Sequence, residues 1–340
     1  MGKINFSNLK TPYFIAEIGG NHAGNKKTAL EGILNAKKSG ANCVKFQMYK
    51  SEELVKKSMP VMQHVKKVSK EKFQYQRFKK LEINEKDVIS YYKSCKRNKI
   101  DLSVTPFYTD SVKFLSRYVT FFKIASGDIN FYPMIKAIAK FKKPVVVSTG
   151  MSKYTEIKEI LKILKGNQVV LLHCISSYPT KEEDLNMRSL LMLKKFKKTI
   201  GFSDHTKGNI GAIMSIPYGA KVFEKHFLPN FRVKNVGDYK LSLNPDEMKK
   251  YIYDVTKSYL ALGKVRKTFF PSERPFFNSL RRSPYFRENY SKGHIVSEKN
   301  IIFLRPHTRA AIENNKVKSF IGKKLKKSVG PYQVLKEDLF

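Results

Sequence analysis

The sequence predicts an α/β chain built on a TIM (β/α)8 barrel, followed by a small C-terminal domain. Three observations carry that prediction. Eight short apolar runs rich in Val, Ile and Phe are spaced through the first 230 residues, each ending near polar or charged side chains. Most are separated by stretches of helical composition long enough for the crossover that parallel strands require. Eight such β/α units in a row is the count that closes a barrel, whose chemistry lies at the C-terminal ends of its strands.

Taken in order, the first run is FIAEIGGN (Phe14–Asn21), which places Glu17 ahead of a Gly-Gly pair. CVKFQMY (Cys43–Tyr49) places Lys45 and Gln47. A long insert, Lys50–Ile100, then holds more than one helix's worth of residues and is positioned to cover the site. DLSVTPF (Asp101–Phe107) brings Thr105, FFKIAS (Phe121–Ser126) brings Lys123 and Ser126, and VVVSTG (Val145–Gly150) brings Ser148. VVLLHCI (Val169–Ile175) carries His173, TIGFSDH (Thr199–His205) carries Ser203 and His205, and KVFEKHF (Lys221–Phe227) carries Glu224 and His226. Runs this short and this apolar read as strands buried on both faces. A Gly- and Pro-containing segment, Val236–Pro245, leads into a helix over Pro245–Leu262. The boundaries that follow are a barrel over 1–265, a linker over 266–280 and a small domain over 281–340. A domain of about 60 residues is marginal alone, so it is expected to pack on the barrel or on a second subunit.

Composition narrows the class. A hydrophobic fraction of 41% leaves enough to bury a core, yet no apolar run reaches membrane-span length. The first residues, MGKINFSNLK, lack the apolar stretch of a signal peptide. Cys43, Cys95 and Cys174 are too scattered for a disulfide framework or a CxxC metal site. A cytoplasmic protein without a membrane partner is the expectation. The net charge of +38 invites nucleic acid as a partner, but the lysine pairs recur through nearly every predicted helix. No RNA-binding motif or zinc finger accompanies them, so a compositional bias is the preferred reading.

His205 and His226 each close a strand, and the seventh and eighth strands are neighbours in a barrel. Strands about 4.8 Å apart let two imidazoles reach one ion. Two nitrogen ligands leave positions open for oxygen, which favours Mn²⁺, or Mg²⁺ or Co²⁺, over a closed structural Zn²⁺. Hydrogen-bonded core histidines are the plainer alternative. Lys45 and Lys123 sit inside apolar strands, where a lysine is seldom buried without a partner. With Thr105, Ser126, Ser148 and Ser203 at other strand ends they suggest an anion cradle, against a Schiff-base amine or side chains that reach out to solvent. Glu17 and Glu224 lie on the first and last strands, which meet when the barrel closes. They are candidates for general acid–base work or for support of a metal ligand, or Glu224 simply pairs with a cation.

The wording of the strand ends resembles one family. AEIGGNHAG (Ala16–Gly24), VKFQ (Val44–Gln47), KIASGD (Lys123–Asp128), STGM (Ser148–Met151), LLHCISSYP (Leu171–Pro179), GFSDHT (Gly201–Thr206) and EKHF (Glu224–Phe227) are similar to the sialic acid (nonulosonic acid) synthases. The segment from Arg281 through KGHIVSEKNIIFLRP to LKEDL resembles the antifreeze-like (SAF) domain of that family. The resemblance implies condensation of phosphoenolpyruvate with an N-acetylmannosamine-type sugar, with release of phosphate. It implies His205 and His226 as ligands of a divalent metal that polarises the sugar aldehyde. His205, Glu17 and Glu224 then form the catalytic group, with Glu17 moving the proton. Lys45, Thr105, Lys123, Ser126, Ser148 and Ser203 match positions around phosphoenolpyruvate, and Gln47, Tyr178 and Asp238 match positions on the sugar side. Arg305 matches an arginine that reaches the N-acyl group in the partner's site, which implies a domain-swapped homodimer.

Three departures from the family pattern fall on the acceptor side. NHAG puts Ala23 where the family has a polar residue, RPHTRA puts His307 and Arg309 where glycines are usual, and VGDYKLS replaces a GPDH-like segment. The acceptor is therefore expected to be N-acetylmannosamine or, alternatively, a 2,4-diacetamido-2,4,6-trideoxymannose leading to a legionaminic-type product. A phosphoheptulonate or octulosonate synthase on the same barrel, and a sugar-binding homologue without turnover, are the remaining rivals.

Overall fold

Eight parallel strands close into a barrel in sequence order. The computed structural model describes residues 4–66, 68–234 and 236–340. The strands are β1 (Tyr13–Glu17), β2 (Cys43–Met48), β3 (Asp101–Pro106), β4 (Phe121–Ile124), β5 (Val145–Ser148), β6 (Val169–His173), β7 (Thr199–Asp204) and β8 (Ala220–His226). All eight runs read from the sequence are strands, seven of them ending one or two residues before the apolar stretch does and β1 four. At β1 the run continues through Ile18 into Gly19–His22, but that segment turns into a 3₁₀ helix once the Gly pair is reached. The barrel closes where β1 pairs with β8, from Tyr13 opposite Val222 to Glu17 opposite His226.

Period-two alternation sorts each strand into two faces. Phe14, Ala16, Val44, Phe46, Leu102, Val104, Phe122, Val145, Val147, Leu171, Phe202 and Phe223 pack in the core shared with the helices. Tyr13, Ile15, Cys43, Phe121, Val146, Val170, Leu172 and Val222 form a second cluster inside the barrel. Phe6 belongs to that inner cluster and stands edge-on to Tyr13 and Phe121, each with ring centroids 5.3 Å away. The next inward positions, one layer towards the strand C-termini, are Glu17, Lys45, Lys123, Ser148, Ser203 and Glu224. The core floor is therefore apolar and the layer above it is charged. Gly201 marks the register shift between β7 and β8, where a Cβ would overlap the Val222 carbonyl oxygen.

The crossovers are α1 (Lys26–Lys38), α2 (Ser51–Leu54), α3 (Gln74–Leu81), α4 (Glu85–Asn98), α5 (Ser111–Leu115), α6 (Tyr132–Ala139), α7 (Tyr154–Ile163), α8 (Ser189–Lys194) and α9 (Ile210–Ser215). The insert after β2 thus holds three α-helices among its described residues. After β8 comes α10 (Pro245–Leu262), with the bounds its sequence suggested. Asn244 caps it by accepting from the Asp246 and Glu247 amides, Glu247 completes a capping box, and Pro245 occupies the first turn, where its missing N–H costs nothing. No helix among the described residues is long and apolar enough to cross a membrane.

The chain divides into two compact units, Met1–Gly263 and Lys264–Phe340. The segment 266–280, read as a linker, carries a short helix, α11 (Arg274–Leu280), and groups with the second unit. Its prolines, which argued against a helix, fall before it and in its first turn, where they are tolerated. In the second unit β9 (Ser283–Phe286) pairs antiparallel with β10 (Ile301–Leu304). Phe286, Val296, Ile301, Phe320, Leu325 and Leu335 are among the residues of its separate core.

Candidate active site

The charged layer opens upward into a cavity of about 460 Å³ at the C-terminal mouth of the barrel. Glu17, Lys45, Gln47, Lys123, Ser126, Ser148, Tyr178, Ser203, His205, Glu224, His226 and Asp238 all line it. Thr105 is fully buried behind Lys45, whose Nζ lies 3.4 Å from Thr105 Oγ1. Arg305 belongs to the second unit and is exposed just beyond β10.

Two lysines and two carboxylates share the floor of this cavity. Lys45 Nζ lies 3.2 Å from Glu17 Oε2 and 3.7 Å from Glu224 Oε1, and Lys123 Nζ is also 3.7 Å from Glu224 Oε1. Lys123 donates to Ser148 Oγ at 2.7 Å, Ser203 donates to Glu224 Oε1 at 3.1 Å, and Gln47 donates to Glu17 Oε1 at 2.6 Å. Gly19 makes room for this arrangement: at φ +48° it lacks the Cβ that would stand 2.8 Å from Glu17 Oε1.

Burial and pairing push these groups apart. Burial raises Glu17 to about 7, against the opposing pull of Lys45, so this carboxyl stands ready to hold or release a proton near neutrality. Burial would raise Glu224 too, but Lys123 and Lys45 hold it below the usual carboxylate range. Burial lowers Lys123, with Glu224 partly compensating, while Glu17 and Glu224 outweigh burial at Lys45 and raise it. Glu224 Oε2 lacks a hydrogen-bond partner among the described residues, while Glu17 Oε2 has only its ion pair with Lys45. Buried carboxylate oxygens left this way are costly unless a bound group completes them.

Beside this floor, His205 and His226 face each other with ring centroids 5.4 Å apart, and the Tyr178 ring lies 4.4 Å from that of His205. His205 Nδ1 is 2.7 Å from the Ile175 carbonyl, which can only accept, so Nδ1 carries the proton and Nε2 keeps its lone pair. His226 Nδ1 lies 3.4 Å from Asp238 Oδ2 and has no hydrogen bond among the described residues. Burial lowers both, His205 to about 4, which keeps the rings neutral as metal ligands must be. No cluster of three or more His, Cys, Asp or Glu suited to a metal occurs among the described residues. An ion held between His205 and His226 would have those two imidazoles as its protein ligands and would take the rest from outside the protein. His173, by contrast, points out of the barrel and bonds the Leu185 carbonyl at 2.7 Å.

One wall of the cavity has no counterpart in the strand-end reading. Met62, Gln74, Arg77, Phe78 and Leu81 line it from the insert after β2, with Tyr49 and Phe107 beside them. Gln74, Arg77, Phe78 and Leu81 stand at i, i+3, i+4 and i+7, one face of α3. That spacing is the signal in FQYQRFKKL that could have identified them. Asp128 and Ser176 also line the cavity, with Ser176 2.9 Å from Ser126 Oγ and burial raising Asp128 to about 6.

Fold and site together define a (β/α)8-barrel protein with buried carboxylates, lysines and histidines at the strand C-termini. The chain belongs to the NeuB family, whose model matches residues 32–267. It is 33% identical to an N,N'-diacetyllegionaminic acid synthase of Campylobacter jejuni over 97% of this chain and 100% of the relative. It is 32% identical to a pseudaminic acid synthase of Campylobacter jejuni over 99% of this chain and 98% of the relative. Among solved structures it is similar to an N-acetylneuraminic acid (sialic acid) synthetase of Leptospira borgpetersenii in complex with citrate. That match has a TM-score of 0.69 and 28% identity, covering 82% of this chain and 97% of the other.

Proposed function

We propose that this NeuB-family chain is a nonulosonic acid synthase that condenses phosphoenolpyruvate with an N-acetylmannosamine-type sugar and releases phosphate. The observation that carries the reading is the buried Lys45–Lys123 pair, with Ser148 and Ser203, directly beside two neutral histidines at the barrel mouth. Lys45 and Lys123 face the phosphate and carboxylate as point charges, with Ser126, Ser148 and Ser203 donating hydrogen bonds and Thr105 fixing Lys45. Glu224 holds the two lysines in place between turnovers.

C3 of phosphoenolpyruvate forms the new bond to the aldehyde carbon. Water adds at C2, and phosphate leaves to give the 2-keto acid. Glu17, poised near neutrality, exchanges a proton with the reacting oxygens. His205 and His226 would hold a divalent ion, Mn²⁺ by preference, which supplies Lewis-acid polarisation of the aldehyde. Gln47, Tyr178 and Asp238 orient the sugar. In the same proposal the second unit is an antifreeze-like domain, and Arg305 reaches the N-acyl group in a domain-swapped homodimer. The reaction is placed in the cytoplasm, in keeping with three buried, free cysteines.

The test is phosphate release from phosphoenolpyruvate with N-acetylmannosamine and, separately, with 2,4-diacetamido-2,4,6-trideoxymannose, each with Mn²⁺ or EDTA. Sugar-dependent release that EDTA abolishes is expected. Release that ignores both sugars overturns the proposal.

A further inference from the structure

Of the departures from the family pattern, RPHTRA (Arg305–Ala310) is one that the proposed chemistry leaves unexplained. Glycines are usual at 307 and 309, yet no residue from Arg305 to Arg309 has a positive φ. The segment follows backbone that any residue adopts, so side chains rather than glycine are free to set its path. Within the second unit they do so from two sides. On one side the His307 amide donates to the Asn278 carbonyl of α11 at 2.6 Å, and the His307 ring stands edge-on to Phe277, at 89° with centroids 5.1 Å apart. Phe277 is itself flanked by the Phe269 ring at 5.2 Å and the Arg281 guanidinium at 5.0 Å. On the other side lies β9. Its buried Ser283 Oγ accepts the Thr308 amide at 2.9 Å and lies 3.2 Å from His307 Nδ1, and its Tyr285 hydroxyl donates to the Pro306 carbonyl at 2.6 Å. The anchors fall on 306–308, while Arg305 and Arg309 beside them are exposed.

From this we infer that His307 is a positioning residue, latching its segment between α11 and β9 so that Arg305 is presented from a fixed loop. A glycine at 307 would keep the amide bond to α11 but lose the ring contact with Phe277 and the partner of Ser283. The loop would then sample more conformations, and acceptor binding would have to order it, which weakens affinity on the acceptor side. The same latch gives α11 a task, because its Phe277 and Asn278 are the surface that His307 docks on. The inference rests on the proposed part of Arg305 in the synthase reaction and deepens it, by naming what holds that arginine.

Hydrogen exchange and steady-state kinetics on the full chain test it, the kinetics with phosphoenolpyruvate, Mn²⁺ and each of the two sugars. In His307→Gly the amides of 307 and 308 are expected to exchange roughly tenfold faster, with the rest of the second unit unchanged. The acceptor KM is expected to rise roughly fivefold while the phosphoenolpyruvate KM holds. His307→Asn, whose side-chain oxygen stands in for Nδ1, should recover part of that loss. Made in Arg305→Ala protein, His307→Gly should add nothing further to the acceptor KM, because the group it positions is gone. Unchanged exchange at 307 and 308, an equal rise in KM with and without Arg305, or both substrates weakened alike would each overturn the latch. An Arg305→Ala protein with normal acceptor KM removes the arginine's role and the latch while leaving the synthase standing. Absence of turnover with either sugar removes the synthase and the latch together.

Discussion

Individual side chains in this molecule take their properties from which face of a strand they occupy. His205 and Asp204 are neighbours in sequence, yet one enters the cavity and the other the layer behind it. His22 shows what burial alone does. It is 3% exposed, its Nδ1 accepts the Gly24 amide at 3.0 Å, and burial lowers it to about 4. The unfolded chain binds that proton from about pH 6.5 downward and the folded chain only below about 4. Stability from His22 is therefore complete above pH 6.5 and is lost as pH falls through this window. The difference is roughly 3 kcal/mol. Urea unfolding at pH 7 and pH 4 should show wild-type protein losing that much more than His22→Gln; parallel losses would contradict it. Strand-end residues such as Lys45, Lys123, His205 and His226 were legible because a charged residue in an apolar run is conspicuous. Gln74 was not, since a polar residue at the start of a lysine-rich helix looks like solvent-facing surface until tertiary packing buries it.

Pairs of elements are held by contacts that alternation also dictates. Behind the two histidines, Lys225 of β8 lies 3.2 Å from Asp204 of β7 and donates to the Thr206 carbonyl at 2.6 Å. Tyr251 of α10 completes the group, its hydroxyl 3.3 Å from Asp204 Oδ2. The whole set is buried, so removing one partner strands a charge. Lys225→Met should cost about 3–5 kcal/mol. Asp204→Asn added to it should recover part of that loss, because the remaining amide carries no charge. A double variant less stable than Lys225→Met would contradict this reading. At this scale the sequence was most informative where period and length agreed, as in β1 to β8 and α10. It was least informative over 266–280, where a helix as short as α11, with Pro275 in its first turn, leaves no measurable period.

For the molecule as a whole, the barrel was legible because eight apolar runs can be buried together in few ways. The cavity wall formed by α3 was not, because it depends on contacts between segments distant in sequence. Light scattering should give a homodimer if Arg305 serves a partner's site, and Arg305→Ala should raise the acceptor KM roughly tenfold or more, with the phosphoenolpyruvate KM unchanged. A monomer with full activity would remove that part of the proposal. The central claim is that the paired lysines and paired histidines of the mouth join two substrates. Mass spectrometry of a reaction containing phosphoenolpyruvate, Mn²⁺ and the diacetamido sugar or N-acetylmannosamine tests it most directly. The account predicts a nine-carbon 2-keto acid formed in equal amount with phosphate, and none in EDTA. Phosphate appearing without that acid, or the acid forming equally well in Lys123→Met, would contradict it.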